Sequence, residues 1–356
     1  MHASAHGSAK LYEYGGGQYP GDSGLEQLDT PEPMTPSTVF DLASVTKVMA
    51  TTMAMILLVD RGAVDLDAPV STYLPDFTGS QRDAITPRHL LTHRSGLPQW
   101  LPVFYHASDA DAAHAYVRSR PLAWPVGEER HYSDLGFMVL GRLVEAVSET
   151  DLDAFLSTEL YEPLGLSATG FLPGSGTPAF AATSHGNPFE RRMVHDPSFG
   201  YRIDGDADAW DGWRRYTLSG QVNDGNAHHA FGGVAGHAGL FAPASELETL
   251  VRLLLDGGAA ADGTRFFADE VVERFLTSSG ERQALGWQLP EYAPEGSFGH
   301  TGFTGTFVLG VPSHGLAVVL LTNRQNVGVD GETGYVDVGP LQRAVVEALT
   351  GGRSSR

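Results

Sequence analysis

The residues best suited to chemistry in this sequence are Ser44 and Lys47, which lie in the segment FDLASVTK at positions 40–47. Their spacing of three places both side chains on one face of a helix, close enough to hydrogen-bond. Backbone N–H groups at the start of a helix have no partner within it, and they suit a developing oxyanion beside Ser44. We therefore predict that Ser44 is a nucleophile and that Lys47 is its partner.

The surroundings of Lys47 decide whether its amine can act as a base. Residues 48–59 carry no charge, and this run is too short to span a bilayer, so it predicts a helix buried in a protein core. Because desolvation disfavours the ammonium form, we expect burial to lower the pKa of Lys47 and to make it a base for the Ser44 hydroxyl. Lys10 and Lys47 are the only lysines in the chain, so this spacing is seldom expected by chance.

Two further groups contain residues that could take part in chemistry. Tyr132-Ser133-Asp134 directly precedes an amphipathic helix, and by itself this position predicts that Asp134 caps the helix. His300-Thr301-Gly302 lies in FGHTG, which reads as a strand. Taken singly, Tyr132 could equally be a buried aromatic side chain, and Thr301-Gly302 could be an ordinary strand end.

Histidines form two groups for which metal binding has to be considered. His89 and His93 are one helical turn apart in the predicted short helix RHLLTH, and His228, His229 and His237 lie within ten residues of one another. Neither group shows the ligand spacing of a known metal motif. We therefore predict no metal site and no cofactor, and a metal hydrolase built on the second group is kept as an alternative.

The order of elements indicates a mixed α/β protein. KLYEY (10–14) reads as a short strand, and the Gly/Pro-rich passage after it is predicted to be mostly loop as far as Pro36. Residues 170–232 are predicted to be a loop-rich excursion near the substrate entrance. Helices are predicted from the turn of Ser44 to about 61 and at 110–118, 135–148, 151–161, 245–255, 268–277 and 341–349.

The last hundred residues change to a strand pattern. ALGWQL, FGHTG, TGTFVLGVP and LAVVLLTN read as successive strands joined by short turns, which predicts an antiparallel sheet. Since helices fill the middle of the chain, strands from both ends are expected to meet in one sheet.

Composition excludes several function classes. The formal net charge is −20 and no Lys/Arg-rich run occurs, so nucleic acid and anionic membrane surfaces are poor partners. There is no cysteine, which excludes disulfides, thiol catalysis and cysteine metal sites. The N-terminal MHASAHGSAK has no apolar segment, so no signal peptide is expected in the chain as given. The compartment stays open, since the true N-terminus could lie upstream.

Taken in order, the three groups resemble the signature of the penicillin-recognising serine hydrolases, which is S-x-x-K, then S-D-N or Y-x-N, then K-T-G on a strand. The similarity is closest to their class C β-lactamase-like branch, which includes esterases, D-aminopeptidases and DD-peptidase-like penicillin-binding proteins. It extends from about Thr35 to Asn323 through FDLASVTK, ITPRHLLTHRSGLP, YSDLGFMVLGRLVE, PLGL, GGVAGHAGLF and FGHTGFTGT.

This resemblance implies an α+β fold of the β-lactamase/transpeptidase type, in which an antiparallel sheet is flanked by helices and a mostly helical lobe is added. The sheet lobe would comprise residues 8–62 with 240–350, and the helical lobe 63–239. The resemblance also implies that Ser44 is acylated, that Lys47 is its base and that Tyr132 shuttles protons. The backbone N–H groups of Ser44 and Phe303 would form the oxyanion hole.

Two residues depart from the family pattern. His300 stands where lysine is usual, so a permanent positive charge for a substrate carboxylate is missing at neutral pH. Asp134 stands where asparagine is usual and replaces an amide donor with an acceptor. With Thr301, Gly302 and Phe303, these residues are expected to bind a small ester, amide or peptide substrate.

The two departures make the pocket less suited to anionic β-lactams or peptide C-termini. An esterase or amidase is therefore predicted ahead of an efficient β-lactamase. The alternatives are a penicillin-binding DD-carboxypeptidase or weak β-lactamase, and a catalytically idle protein of the same fold that binds peptidoglycan.

Overall fold

The computed structural model of this chain arranges helices around three short antiparallel sheets. The α-helices are α1 Met53–Asp60, α2 Pro87–Leu91, α3 Ala110–Ser119, α4 Asp134–Ser148, α5 Leu152–Leu156, α6 Pro188–His195, α7 Gly225–Ala230, α8 Ala244–Leu255, α9 Asp269–Leu276 and α10 Gly339–Thr350. The strands are β1 Ser8–Tyr14, β2 Leu25–Pro33, β3 Phe40–Asp41, β4 Gly170–Phe171, β5 Leu240–Ala242, β6 Phe298–Thr301, β7 Thr306–Val311 and β8 Leu316–Leu321. The structure describes residues 4–15, 25–174, 179–199, 201, 210–329 and 334–351.

The helix that begins beside Ser44 runs through the centre of the core. It starts as a 3₁₀ turn over Ala43–Val45, widens into π-helical turns over Lys47–Thr52 and continues as α1. Local π-helical geometry is rare and often marks functional sites. Of the apolar stretch Ala43–Asp60, which is long enough to cross a membrane, 83% is buried inside the fold. The prediction of a buried core helix is confirmed.

The helices of the middle region mostly match the predicted ones. α3, α4, α8, α9 and α10 lie within two residues of their predicted bounds, and α5 continues as a π-helical turn to Tyr161. One prediction was wrong, because α2 ends at Leu91 and His93 lies beyond the helix that was expected to carry it. Where the structure describes it, the stretch 170–232 is mostly irregular, as predicted, and it also contains the short helices α6 and α7; residues 175–178, 200 and 202–209 lie outside the described part.

The N-terminal region contains more strand than the sequence indicates. β1 pairs with β2 in antiparallel register, so the passage expected to be loop as far as Pro36 includes a nine-residue strand. This strand carries two prolines and is largely exposed, with no alternation between buried and exposed positions. A strand at the edge of a sheet tolerates prolines. Because this one contains prolines and lacks alternation, it does not show the sequence pattern by which strands are usually predicted.

Strands from the two ends of the chain do not share one ladder within the described residues, so the prediction of a single sheet was wrong. Among the described strands, β1 pairs with β2 alone, whereas β6, β7 and β8 form a separate three-stranded sheet. Side chains connect the two instead. Asn326 Oδ1 accepts hydrogen bonds from the backbone N–H groups of Leu11 and Tyr12. ALGWQL forms isolated bridges at Gln288 rather than a strand.

The sheet formed by β6, β7 and β8 is covered on both faces. Val308 faces the main core and α8, whereas Phe307, Leu309 and Val311 pack with Val346 of α10 in a second cluster. This alternation follows the two-residue period of a strand. Because both faces are buried, the sheet provides a fixed support for the turn that follows β6.

Candidate active site

Ser44 is presented by a tightly anchored turn between β3 and the central helix. Ala43, directly before it, has a φ of 47°, in the left-handed region that non-glycine residues seldom adopt. Asp41 holds this turn, because its Oδ1 accepts a hydrogen bond of 2.8 Å from the Ala43 N–H. Leu42 N–H donates to the Leu240 carbonyl of β5 at 3.0 Å. The Ser44 side chain is partly exposed and lines a cavity.

Lys47 lies one turn further along, with a fully buried side chain. Its Nζ donates to Ser44 Oγ at 3.0 Å and to the His237 carbonyl at 3.1 Å. The third neighbour is Asp134, whose Oδ1 lies 2.7 Å from Nζ. Three oxygen acceptors therefore surround the amine, which is the arrangement an ammonium group requires.

The predicted lowering of the Lys47 pKa was wrong. Burial by itself would lower this pKa, but the charge and hydrogen bonding of Asp134 and Tyr132 outweigh burial and raise the pKa above its ordinary value. Lys47 is thus held as an ammonium ion. The prediction failed because it considered only the effect of burial on the pKa. It did not include the opposite effect of the Asp134 carboxylate, which comes from α4.

Asp134 contacts Lys47 and does not cap α4. The cap is Ser133, whose side chain accepts a hydrogen bond of 3.1 Å from Gly136 N–H. As the first residue of the helix, Asp134 is left to point at Lys47, with a side chain that is 17% exposed. Among the described residues, no group meets hydrogen-bond geometry at Asp134 Oδ1, so its contact with Lys47 is an ion pair.

Tyr132 packs against Lys47 and contacts Ser44. Its ring centroid lies 5.0 Å from Lys47 Nζ, and its phenol interacts with the side chains of both Ser44 and Lys47. Burial raises the pKa of Tyr132, and the positive charge of Lys47 only partly opposes this. Tyr132 is therefore a neutral phenol at physiological pH. Its ring packs 4.5 Å from His93 and 6.0 Å from His300.

The turn after β6 lies directly beside the Ser44 turn. Thr304 and Thr306 donate from their hydroxyls to the carbonyls of Asp41 (2.7 Å) and Leu42 (2.9 Å). At Gly302 an added Cβ would collide with the Leu42 carbonyl and the Thr306 hydroxyl, so only glycine fits this approach. Phe303 follows it and lines the same cavity as Ser44.

His300 occupies β6 as an uncharged side chain. Its Nδ1 lies 2.7 Å from the Thr301 carbonyl, which assigns the proton to Nδ1 and leaves Nε2 as an acceptor. Burial, together with the nearby charge of Lys47, lowers the pKa of His300 to about 3. β6 therefore presents no cation at this position, and His300 lies behind the residues that line the cavities beside Ser44 rather than among them.

The cavity beside Ser44 has a volume of about 310 Å³. Aromatic and apolar side chains form much of its wall, and the charged groups in its lining are carboxyl groups. Its lining comprises Ala43, Ser44, Gln99, Trp100, Tyr132, Asp134, Phe189, Glu190, Met193, Tyr201, Asn223, Asp224, Ala238 and Phe303. Phe189, Glu190, Met193 and Tyr201 come from the stretch expected to lie near the substrate entrance.

The histidines considered for metal binding have other contacts. His237 Nε2 lies 3.0 Å from Asp224 Oδ1, while the rings of His228 and His229 pack against each other at 4.5 Å. His89 and Thr86 form a capping box at the start of α2. Within the described ranges, no three His, Asp or Glu side chains are grouped so that they could hold a metal ion.

Three acidic residues near the site carried no sequence signal. Asp41, Glu190 and Asp224 are separated by long stretches of chain, and the fold brings them together: the N–H groups of Asn223 and Gly225, on either side of Asp224, donate to Asp41 and to Glu190. Burial is the main cause that raises the pKa of Asp41 to about 6, and burial with the charge of Asp224 raises the pKa of Glu190 to about 8. Asp41 alone could have been noticed, as a charge next to the Ser44 segment.

Comparisons with known proteins agree on one family. The β-lactamase family model matches residues 3–338. The chain is 32% identical to an N-acetylmuramyl-L-alanine amidase of Bacillus subtilis, covering 92% of this chain and 75% of that protein. It is 31% identical to a putative D-alanyl-D-alanine carboxypeptidase of Escherichia coli, covering 91% and 75% respectively. The crystal structure of a family VIII carboxylesterase superposes with a TM-score of 0.63 at 18% identity, covering 88% of this chain and 83% of that one, and it shows the shared fold.

Proposed function

Because the chain belongs to the β-lactamase family and is a serine hydrolase, we propose that it cleaves uncharged carboxylic esters and amides through an acyl-enzyme on Ser44. The observation that carries the proposal is the contact of 3.0 Å between Lys47 Nζ and Ser44 Oγ, at the wall of a cavity that also contains Tyr132 and Phe303. A nucleophile hydrogen-bonded to its partner beside a cavity is the arrangement that acyl transfer requires.

Charge in the cavity supports an uncharged acyl group. Asp134 and Asp224 line it together with Glu190, whose raised pKa of about 8 leaves it mostly uncharged at neutral pH. Lys47 is compensated by Asp134, and His300 is neutral. A substrate carboxylate placed against Asp134 and Asp224 would meet like charge, and among the described residues that line this cavity no cation offsets it, which costs several kcal/mol. The rings of Trp100 and Phe189 instead offer apolar surface to an alkyl or aryl acyl chain.

In acylation, Ser44 Oγ would attack the substrate carbonyl carbon while the serine proton leaves through Lys47. The carbonyl oxygen would become an oxyanion held by the N–H groups of Ser44 and Phe303. Ser44 suits this role because its N–H lies in the first helical turn, and Phe303 because its turn is fixed against Leu42. Tyr132, which interacts with both Ser44 and Lys47, would pass a proton to the leaving group.

Deacylation would run through the same groups in reverse. A water molecule would take the place of the leaving group, give up a proton towards Tyr132 and Lys47, and attack the acyl carbon. Ser44 Oγ would then regain a proton as its bond to carbon breaks. The sum is hydrolysis of one ester or amide bond by one water molecule.

The test is a pair of chromogenic esters of similar acyl length. We expect p-nitrophenyl butyrate to be hydrolysed with a kcat/KM about ten-fold or more above that of anionic mono-p-nitrophenyl succinate, because the second places a carboxylate against the acidic lining. Ser44→Ala is the blank for both. If Ser44→Ala hydrolysed the esters as fast as the wild type, Ser44 would not be the nucleophile. If the wild type preferred the succinate ester, the proposed selectivity for uncharged substrates would be wrong.

A DD-carboxypeptidase activity is a second candidate, and one observation favours it. Another cavity beside Ser44, of about 410 Å³, is lined by Arg324, whose guanidinium could face a peptide C-terminus. Arg324 already donates to the Phe303 carbonyl through Nε and Nη2 and is accompanied by Asp337, which weakens this case. Release of D-alanine from an acyl-D-Ala-D-Ala peptide by the wild type and not by Ser44→Ala would establish this activity.

A further inference from the structure

We propose that Asp134 is the terminal proton acceptor for Ser44 and that it receives the proton through Lys47. The inference rests on the acyl-enzyme chemistry proposed above and adds a residue to it. In the family pattern that this chain resembles, the position is an amide, which cannot take up a proton under ordinary conditions. In this chain it is a carboxylate in direct contact with the amine.

The need for such an acceptor follows from the contacts of Lys47. Its Nζ donates to Ser44 Oγ, to the His237 carbonyl and towards Asp134 Oδ1, at 3.0, 3.1 and 2.7 Å. An ammonium group has no lone pair with which to receive the serine proton. Lys47 can accept that proton only after it has given one away.

Only one of its neighbours is suited to receive that proton. The His237 carbonyl is a very weak base, and the Tyr132 phenol already holds its own proton. Asp134 carries a carboxylate, and no group in the described part of the chain makes a well-aligned hydrogen bond to its Oδ1. The shortest of the three contacts of Lys47 therefore leads to the strongest base.

The step conserves atoms and charge. Lys47 transfers a proton to Asp134 Oδ1, and rotation about its Cε–Nζ bond turns the new lone pair towards Ser44. Ser44 Oγ then gives its proton to Nζ as the bond from Oγ to the substrate carbon forms and the carbonyl electrons move to oxygen. After this step Lys47 is again an ammonium ion, Asp134 is a carboxylic acid and the substrate carries the oxyanion.

The neutral intermediate lies above the ion pair in free energy, and burial reduces that difference. Lys47 is fully buried and the Asp134 side chain is 17% exposed, so water stabilises their ion pair far less than it would at the surface. The same low polarity lowers the relative free energy of the uncharged amine and carboxylic acid. Besides Tyr132, the titratable or charged groups that face this pair are His93, His300, Asp224, Glu190 and Tyr201, and Arg130 in turn faces Tyr132, His93 and His300.

The test compares Asp134→Asn and Asp134→Glu with the wild type on a neutral chromogenic ester. At pH 6.5 we expect Asp134→Asn to lower kcat by about 100-fold, the usual lower range for loss of a general base. Its deficit should shrink as the pH rises, because Lys47 without its carboxylate partner can lose its proton and act as the base. Asp134→Glu keeps a carboxylate and should retain at least about a tenth of the wild-type kcat.

The pH profile of the wild type provides a readout that a structural role would not change. With acylation rate-limiting, its kcat should stay level between pH 6.5 and pH 9, because Lys47 passes its proton to Asp134 and does not have to lose one to solvent. The kcat of Asp134→Asn should rise over the same range. A wild-type kcat that rose by about ten-fold per pH unit over this range would overturn the proposal even if Asp134→Asn did not fold.

Failure of this inference differs from failure of the proposed function. If Ser44→Ala abolishes turnover but Asp134→Asn matches or exceeds the wild-type kcat at pH 6.5, the acyl-enzyme stands and Asp134 is not the acceptor. If the wild type hydrolyses no ester or amide, both proposals fall.

Discussion

Two buried polar clusters flank Ser44, and they are built differently. The Lys47 cluster consists of Lys47, Asp134 and Tyr132. The Arg214 cluster consists of Arg214, Asn187, Glu190, Asn223 and Asp41. Each places one basic side chain among carboxyl groups in a buried environment.

The Arg214 cluster is closely satisfied by hydrogen bonds. Arg214 donates to the Asn187 side chain at 2.8 Å and to the carbonyls of Val222 (2.6 Å) and Asn223 (2.5 Å). Glu190 accepts from Gly225 N–H at 2.7 Å and from the Asn187 amide at 2.9 Å. The Asn223 N–H donates to Asp41 Oδ2 at 2.5 Å, which links the cluster to the Ser44 turn.

The Lys47 cluster has hydrogen-bonding capacity to spare. Within the described residues, Asp134 Oδ1 lacks a well-aligned donor, and the Nε2 atoms of His93 and His300 beside Tyr132 have no partner. A fully satisfied buried network holds one geometry, whereas unpaired buried groups are costly unless they serve a purpose. The Arg214 cluster therefore holds the Ser44 turn in place through Asp41, whereas the spare capacity of the Lys47 cluster supports its proposed role in catalysis.

The largest expected effect is that of Lys47→Met. It removes the proton path and leaves the Asp134 carboxylate in the interior without its partner, so we expect kcat to fall by about 10³-fold or more. Steady-state ester hydrolysis measures this. Lys10→Met is the matched control, because Lys10 is the only other lysine and its pair with Glu13 is at the surface. Comparable activity in both variants would show that the Lys47 cluster is not the reactive one.

We expect Arg214→Met to lower the free energy of unfolding and to change kcat much less. It leaves the Asn187 side-chain oxygen and the carbonyls of Val222 and Asn223 without their buried donor, so we expect a loss of about 3–5 kcal/mol in the free energy of unfolding. Urea denaturation measures this loss, and kcat per folded molecule should change by less than about ten-fold. The exposed neighbouring variant Arg215→Met should stay within about 0.5 kcal/mol of the wild type. If Arg214→Met stayed folded and its kcat fell as far as that of Lys47→Met, the claim that the Arg214 cluster is structural and the Lys47 cluster catalytic would be wrong.

The smallest expected effect concerns how the two clusters make the free energy of unfolding depend on pH. Since the folded-state pKa of Glu190 is raised to about 8, the folded protein keeps this proton while the unfolded chain releases it above its ordinary pKa of 4.5. Stability from this group is therefore present at low pH and is lost as the pH rises to 8, by on the order of a few kcal/mol. The raised pKa of Lys47 contributes a stability that stays constant over the same window, because it is lost only above the ordinary lysine pKa.

Glu190→Gln tests this difference through urea denaturation at several pH values. We expect the decline in unfolding free energy between pH 5 and pH 8 to be smaller in the variant than in the wild type. Equal slopes would mean that Glu190 does not hold its proton in the folded protein.

Local sequence signals predicted the parts of the site that lie within single segments. The spacing of Ser44 and Lys47, the uncharged run after them and the glycine after Thr301 each have a local physical cause, and the structure brings them together with Tyr132. The catalytic roles of these residues and the division into lobes of 8–62 with 240–350 and 63–239 stay predictions.

What could not be predicted depends on partners distant in the sequence. The pKa of Lys47 is set by Asp134, 87 positions away, whose side chain is available because Ser133 caps the helix. Asp41 is joined to Arg214 through Asn223, which lies on a different segment. A pattern read along the chain cannot weigh burial against such contacts, so it gave the wrong sign for Lys47.

The most direct test of the account is covalent labelling of the wild type with a fluorophosphonate, followed by peptide mapping by mass spectrometry. We expect one adduct per chain, located on Ser44, formed in the presence of a strong metal chelator and absent from Ser44→Ala. An adduct on another residue, or equal labelling of Ser44→Ala, would contradict the claim that Ser44 is the nucleophile.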